Sequence, residues 1–147
     1  MDRLELTSVI LSAKQQKNLS WQQIADAVGK SKEFVTAACL GQMSLDATQA
    51  ADLIGFLGLP DDVAPLLQTP PYRGSFPNAV PTDPLIYRFY ELVSVYGSTW
   101  KELIQEEFGD GIMSAIDFSM SVEREPDPAG DRVHITMSGK FLKYRQY

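Results

Sequence analysis

PTDPLIYRFYELVSVYGSTWKELIQEEFGDGIMSAIDFSMSV, residues 81–122, carries the change of hydrophobic period that decides the fold. Asp83 followed by Pro84 is a strong helix start: a short acceptor side chain for the free N–H groups, then a proline at the first helical position. The pattern predicts a helix from there to Tyr96, stopped by Gly97. Thr99-Trp100-Lys101-Glu102 has the form of a capping box and predicts a further helix, which Gly109 ends. Then the period drops to two. Ile112, Ser114, Ile116, Phe118, Met120 and Val122 alternate with Met113, Ala115, Asp117, Ser119 and Ser121, the mark of a strand.

Toward the C-terminus, Pro126, Pro128 and Gly130 predict a turn. A second strand is expected over Arg132 to Met137, and Ser138-Gly139 is expected to turn the chain toward Phe141, Leu142 and Tyr144. Toward the N-terminus, five of the nine prolines fall between Pro70 and Pro84. That density excludes helix and central strand and predicts an extended linker.

Everything before the linker reads as helix. Leu4, Leu6, Val9, Ile10 and Ala13 recur at three- and four-residue spacing. Ser20 caps a helix from Trp21 to Val28 that Gly29 ends. Ser31 caps the next, with Phe34, Val35, Ala38 and Cys39 before Gly41. Ser44 is expected to open a fourth, and a short fifth lies around Val63 to Leu67. Trp21 to Leu40 has the helix-turn-helix layout: Ala25 at the close approach, Gly29 in the turn, Val35 packing the second helix back. The expected class is therefore α+β. A helical, helix-turn-helix-like domain spans 1–70, a proline-rich linker 71–83, and a small helix-plus-strand domain 84–147. The last is too small to bury a comfortable core alone, so association between copies is expected.

Composition bounds the function. The chain has 147 residues, 44% hydrophobic and 22% charged, with net charge −6. That is an ordinary globular balance, and no apolar run approaches the roughly 20 residues that span a bilayer. MDRLELTSVILSAKQQ lacks the pattern of a secretory signal. One cysteine, Cys39, permits no internal disulfide, so a reducing cytoplasm is the expected location. The helix-turn-helix layout raises a DNA-binding regulator as the rival reading. Charge opposes it: residues 1–69 hold five Lys or Arg against eight Asp or Glu, and SKEFVTAACLGQ offers no arginine for guanine edges. A non-catalytic assembly domain is a third reading.

Two features of 81–122 carry chemistry. Arg88 and Glu91 stand three apart on one helix face, within the aromatic setting of Tyr87, Phe89 and Tyr90. They form either a surface ion pair of small energetic worth or, if the helix is partly buried, the cationic part of an anion site. Ser114 is the one polar residue in its alternating set. Its hydroxyl is expected to be buried and to find a partner, either nearby backbone or a ligand. The lone His134 reads as a structural or surface residue rather than a catalytic one, and no metal-binding spacing occurs.

The block from PTDP through YRFYE, VYG, KELI and FGDGI to SAI resembles the cyanase signature in both elements and spacing. LSWQQIADAVG, FVTAACLGQ and LLQTPPYRG resemble that family's N-terminal domain, so the likeness covers nearly the whole chain. The resemblance implies a lyase that combines cyanate with bicarbonate, loses carbon dioxide and gives carbamate, which decays to ammonia and carbon dioxide. It implies no metal or organic cofactor, bicarbonate being a co-substrate. It places the catalytic residues at Arg88, Glu91 and Ser114. It also implies a homodecamer of five intertwined dimers with active sites between subunits, and no nucleic-acid or membrane partner.

Overall fold

The first four helices of the N-terminal half each begin where a short polar side chain accepts from their free N–H groups. The computed structural model describes residues 1–71 and 79–146, which fall into two compact units, Met1–Gly74 and Ser75–Tyr147. Part of the expected linker, residues 72–78, lies outside the described residues.

In the first unit, α1 (Arg3–Gln16) starts with a reciprocal capping box, in which Asp2 accepts from the Glu5 N–H and Glu5 accepts from the Asp2 N–H. Ser20 caps α2 (Trp21–Val28) with the same device, using Gln23. Gly29 ends α2 at a left-handed φ of 73°, its N–H bonded to the Ala25 carbonyl at 2.8 Å. Ser31 caps α3 (Lys32–Cys39). The cap of α4 (Ala47–Leu57) is Asp46 rather than the expected Ser44. Gln49 stands three residues after Asp46 and completes a box that Ser44 is too far away to form. A short 3₁₀ turn, Asp61–Val63, leads into α5 (Ala64–Gln68).

These five helices enclose one core. Leu6 and Ile10 of α1 meet Ile24, Ala25 and Val28 of α2, Val35, Ala38 and Cys39 of α3, and Leu53, Ile54 and Leu57 of α4. Ala25 and Val35 are fully buried, as the helix-turn-helix layout requires. Arg3 ties the unit together: its guanidinium donates to the carbonyls of Leu66, Ala38 (3.0 Å) and Met43 (2.8 Å). Burial of the Cys39 thiol among these helices pushes its pKa up to about 12.

The second unit departs from the expectation in two places. Residues 84–108 form one helix, α6 (Pro84–Phe108), about 37 Å long at the standard rise. Gly97 does not stop it, and Thr99 to Glu102 lies inside it. Without a proline nearby, an interior glycine costs only about 1 kcal/mol. The single helix keeps the apolar residues of both halves on one continuous element. Asp83 caps its start, accepting from Leu85 and Ile86 N–H at 2.9 Å.

Gly109, at φ 91°, ends α6 and turns the chain into β1 (Gly111–Glu125). Antiparallel β2 (Arg132–Lys143) returns beside it. The second correction is here: Ser138-Gly139 makes no turn, and β2 continues so that Phe141 and Leu142 pair with Met113 and Ile112. The reversal lies at Asp127 to Gly130, where the Asp127 carboxylate accepts from the Ala129 N–H at 2.8 Å. Among the described residues of this unit the sole buried one is Ser114. Leu85, Val93, Val95, Leu103 and Phe108 of α6 are more than half exposed. The chain alone therefore leaves this unit without a core of its own.

Candidate active site

The first two turns of α6 set Arg88 and Glu91 on one face, where Arg88 Nη1 lies 2.8 Å from Glu91 Oε2. The guanidinium also lies 5.8 Å from the centroid of the Tyr87 ring, within cation–π range. Tyr87 in turn packs on Tyr90. Among the described residues Arg88 is thus held by a carboxylate and an aromatic ring, and one of its five N–H donors is engaged by Glu91. Leu92, Val95 and Tyr96 join Arg88 and Glu91 around an open groove, giving the charged pair an apolar floor.

The expected partial burial of this face is not met within one chain. The Arg88 and Glu91 side chains are 63% and 49% exposed. Among the described residues of the unit nothing covers the aromatic and aliphatic side chains around them: Leu85, Phe89, Tyr90, Leu92 and Val95 are all exposed.

Ser114 is buried, 6% exposed. β1 does not alternate cleanly through it. The two strands pair evenly as far as Met113↔Phe141 and resume at Phe118↔Gly139, so β1 spends residues 114–117 where β2 spends Lys140 alone. Ser114 closes this irregularity itself: its Oγ accepts from the N–H of Ile116 at 3.0 Å and of Asp117 at 2.9 Å. Nearby backbone is therefore the partner of its oxygen. Among the described residues the hydroxyl donates to nothing, so its proton remains available. Two amides donating into the oxygen make that proton a better donor to an anion. Strand irregularities of this kind recur beside active sites, where they re-aim a side chain.

Arg88 lies about 30 Å along α6 from its C-terminal end, and Ser114 is six residues beyond that end. Among the described residues Arg88 meets Glu91, and no hydrogen bond joins either of them to Ser114. The local turn at Ser114 is invisible to simple alternation. Gly139, whose backbone lies close to the Ser114 carbonyl from the opposite strand, is the signal that locates it.

His134 engages both ring nitrogens, with Glu125 Oε2 and Thr136 Oγ1 each at 3.3 Å. No group of three or more His, Cys, Asp or Glu among the described residues could hold a metal ion. No helix among them is long and apolar enough to cross a membrane.

Two family models match the chain: "Cyanate hydratase, N-terminal" over residues 3–71 and "Cyanate lyase C-terminal domain" over residues 78–146. A cyanate hydratase of Ralstonia pickettii (strain 12J) is 63% identical over 147 residues, all of both chains. One from Cupriavidus necator is 59% identical over the same full length. The crystal structure of cyanase from T. urticae superposes with a TM-score of 0.83 at 39% identity, over 94% of this chain and 96% of that one.

Proposed function

This chain belongs to the cyanate hydratase family, and from that premise we propose that it decomposes cyanate with bicarbonate. In the first step a bicarbonate oxygen bonds to the cyanate carbon, one proton is taken up, and carbon dioxide leaves to give carbamate. Carbamate then takes up two protons and falls to ammonium and a second carbon dioxide. No electron changes hands, and no metal or organic cofactor enters the scheme.

The observation that carries the reading is the Arg88–Glu91 pair on its apolar groove, in a chain alike over its whole length to cyanate hydratases. Two monoanions about 4 Å apart repel by roughly 4 kcal/mol at an effective dielectric of 20. A permanently charged, forked guanidinium offsets that repulsion and fixes the orientation of both. Glu91 holds the fork in place. Ser114 donates its free proton to one anion and stabilises charge as it develops. Bringing the two anions together supplies much of the rate.

The site is completed between copies. α6 and the hairpin expose their apolar faces in a single chain, and among the described residues no hydrogen bond joins Ser114 to Arg88. Burial of those faces against other copies excludes water from the groove and lets Ser114 of one copy approach Arg88 of another. A homodecamer of five intertwined dimers is the assembly we propose. A cytoplasmic location suits the buried, protonated Cys39. The acidic chain, with no basic stripe on α3, offers no support for a DNA-binding role.

The test mixes purified protein with cyanate, with and without bicarbonate, and follows ammonia. Release that depends on bicarbonate supports the proposal. Well-folded protein that releases none, or releases it equally without bicarbonate, refutes it.

A further inference from the structure

The glycines of the second unit fall into two kinds. Gly109 and Gly130 have φ values of 91° and 126° and open space where a side chain would go, so their role is conformational. Gly139 is the opposite. Its φ lies outside the left-handed region, a backbone any residue adopts, yet a Cβ there would collide with the Ser114 carbonyl oxygen and stand 2.6 Å from Met113 Cγ. Gly111 is a second such close approach, against the Leu142 carbonyl and the Phe141 ring. Of the two, Gly139 touches Ser114 itself.

We propose that Gly139 is a positioning residue for Ser114. Its bare backbone lies against the Ser114 carbonyl at the point where β1 carries its surplus residues. That contact fixes the Ser114 peptide plane, and with it the direction of the hydroxyl. The same plane begins the turn in which Ile116 and Asp117 N–H donate to Ser114 Oγ. A methyl group on residue 139 pushes the Ser114 peptide away, opens the turn and mis-aims the hydroxyl. The displacement needed, about an ångström, is of the size to which bound geometry is sensitive. The role rests on Ser114 acting in catalysis, as proposed above.

The experiment compares Gly139→Ala and Ser114→Ala with the parent, each as the full assembled protein. It reads assembly mass, thermal transition, kcat and KM for cyanate, and hydrogen exchange resolved at the amides of 116 and 117. Gly139→Ala is expected to keep its mass, to unfold at a lower temperature because the clash must be relieved, to lose about tenfold or more in kcat, and to change KM less than about threefold. Exchange at 116 and 117 is expected to quicken about tenfold, with the rest of the chain unchanged. Unchanged kcat in Gly139→Ala beside a damaged Ser114→Ala overturns the positioning role alone. Full activity in Ser114→Ala overturns the catalytic reading of Ser114 whatever Gly139 does. Lost kcat with unchanged exchange at 116 and 117 also overturns the positioning role. Should Gly139→Ala fail to assemble, Met113→Ala/Gly139→Ala removes the side-chain part of the clash and is read in the same way. If that variant also fails while Met113→Ala assembles, Gly139 serves the hairpin as a whole and the inference is wrong.

Discussion

Arg88 Nη1 meets Glu91 Oε2 at 2.8 Å along one turn of α6, and both side chains remain open to solvent. An exposed pair of this kind contributes at most about 1 kcal/mol to stability. Its chemical role can therefore be probed without unfolding the protein. Arg88→Lys keeps the charge and loses the planar fork. We expect kcat/KM for cyanate to fall by at least about 30-fold, with the thermal transition shifted only slightly. Steady-state kinetics beside calorimetry decides this, and near-parental kinetics in Arg88→Lys would remove the fork from the account.

Glu91 has a different expected signature. Glu91→Gln preserves size and removes a negative charge beside the proposed anion site. The loosened Arg88 should lower kcat by about tenfold, while removal of the charge should leave KM for cyanate equal or lower. A raised KM with unchanged kcat would contradict the orienting role.

Ser114→Ala removes the free hydroxyl proton and leaves the Ile116 and Asp117 N–H groups without their acceptor. A fall of about 10²-fold in kcat is expected, the usual scale for one lost donor at developing charge. Ser114→Thr keeps the donor but adds a methyl group at a buried position, so partial activity is expected from it. Equal activity in the alanine and threonine variants would show that the hydroxyl is not used.

Arg3 is the structural counterpart of Arg88. It joins α1 to carbonyls of Leu66 in α5, Ala38 in the last turn of α3, and Met43 in the connection between α3 and α4. Arg3→Met strips those carbonyls of their shared donor and should destabilise the first unit by about 3 kcal/mol, measured by denaturant unfolding. A loss below about 0.5 kcal/mol would mean that water replaces the guanidinium without cost.

Cys39 gives a pH prediction. Burial raises its folded pKa from 9.0 to about 12, so the unfolded thiol loses its proton first as pH rises. Its contribution to stability is therefore whole below pH 9 and is lost between 9 and 12, by up to about 1.4 kcal/mol per pH unit. Replacing Cys39 with Ser or Ala should flatten that slope. At pH 8 a thiol reagent should label the chain only on unfolding.

Much of this was legible in the sequence because local chemistry and packing agree. Asp83-Pro84, Ser20, Gly29 and Ser31 do in the fold what their residue types favour, and the pattern around Ala25 and Val35 gives the buried helical pair. Gly97 misleads because glycine both ends helices and sits in them at modest cost, and only neighbours in space choose between these. Ser138-Gly139 misleads for a related reason: the glycine serves a close strand approach, which no local pattern reveals. Ser114 stands out as a lone polar residue in an apolar set, but its turn depends on a register set from the opposite strand. Arg88 and Glu91 are legible as a pair. Their exposure is not, because the aromatic setting that suggests a buried helix finds no cover among the described residues.

The most direct measurement is the carbon balance of the reaction. Cyanate is supplied with ¹³C-bicarbonate, and gas and ammonia are sampled before carbon dioxide re-equilibrates with the pool. The account predicts two molecules of carbon dioxide for each ammonia, one of them labelled, with Arg88→Leu releasing neither. One unlabelled carbon dioxide per ammonia would mean simple hydrolysis, and the joining of two anions at Arg88 would be wrong.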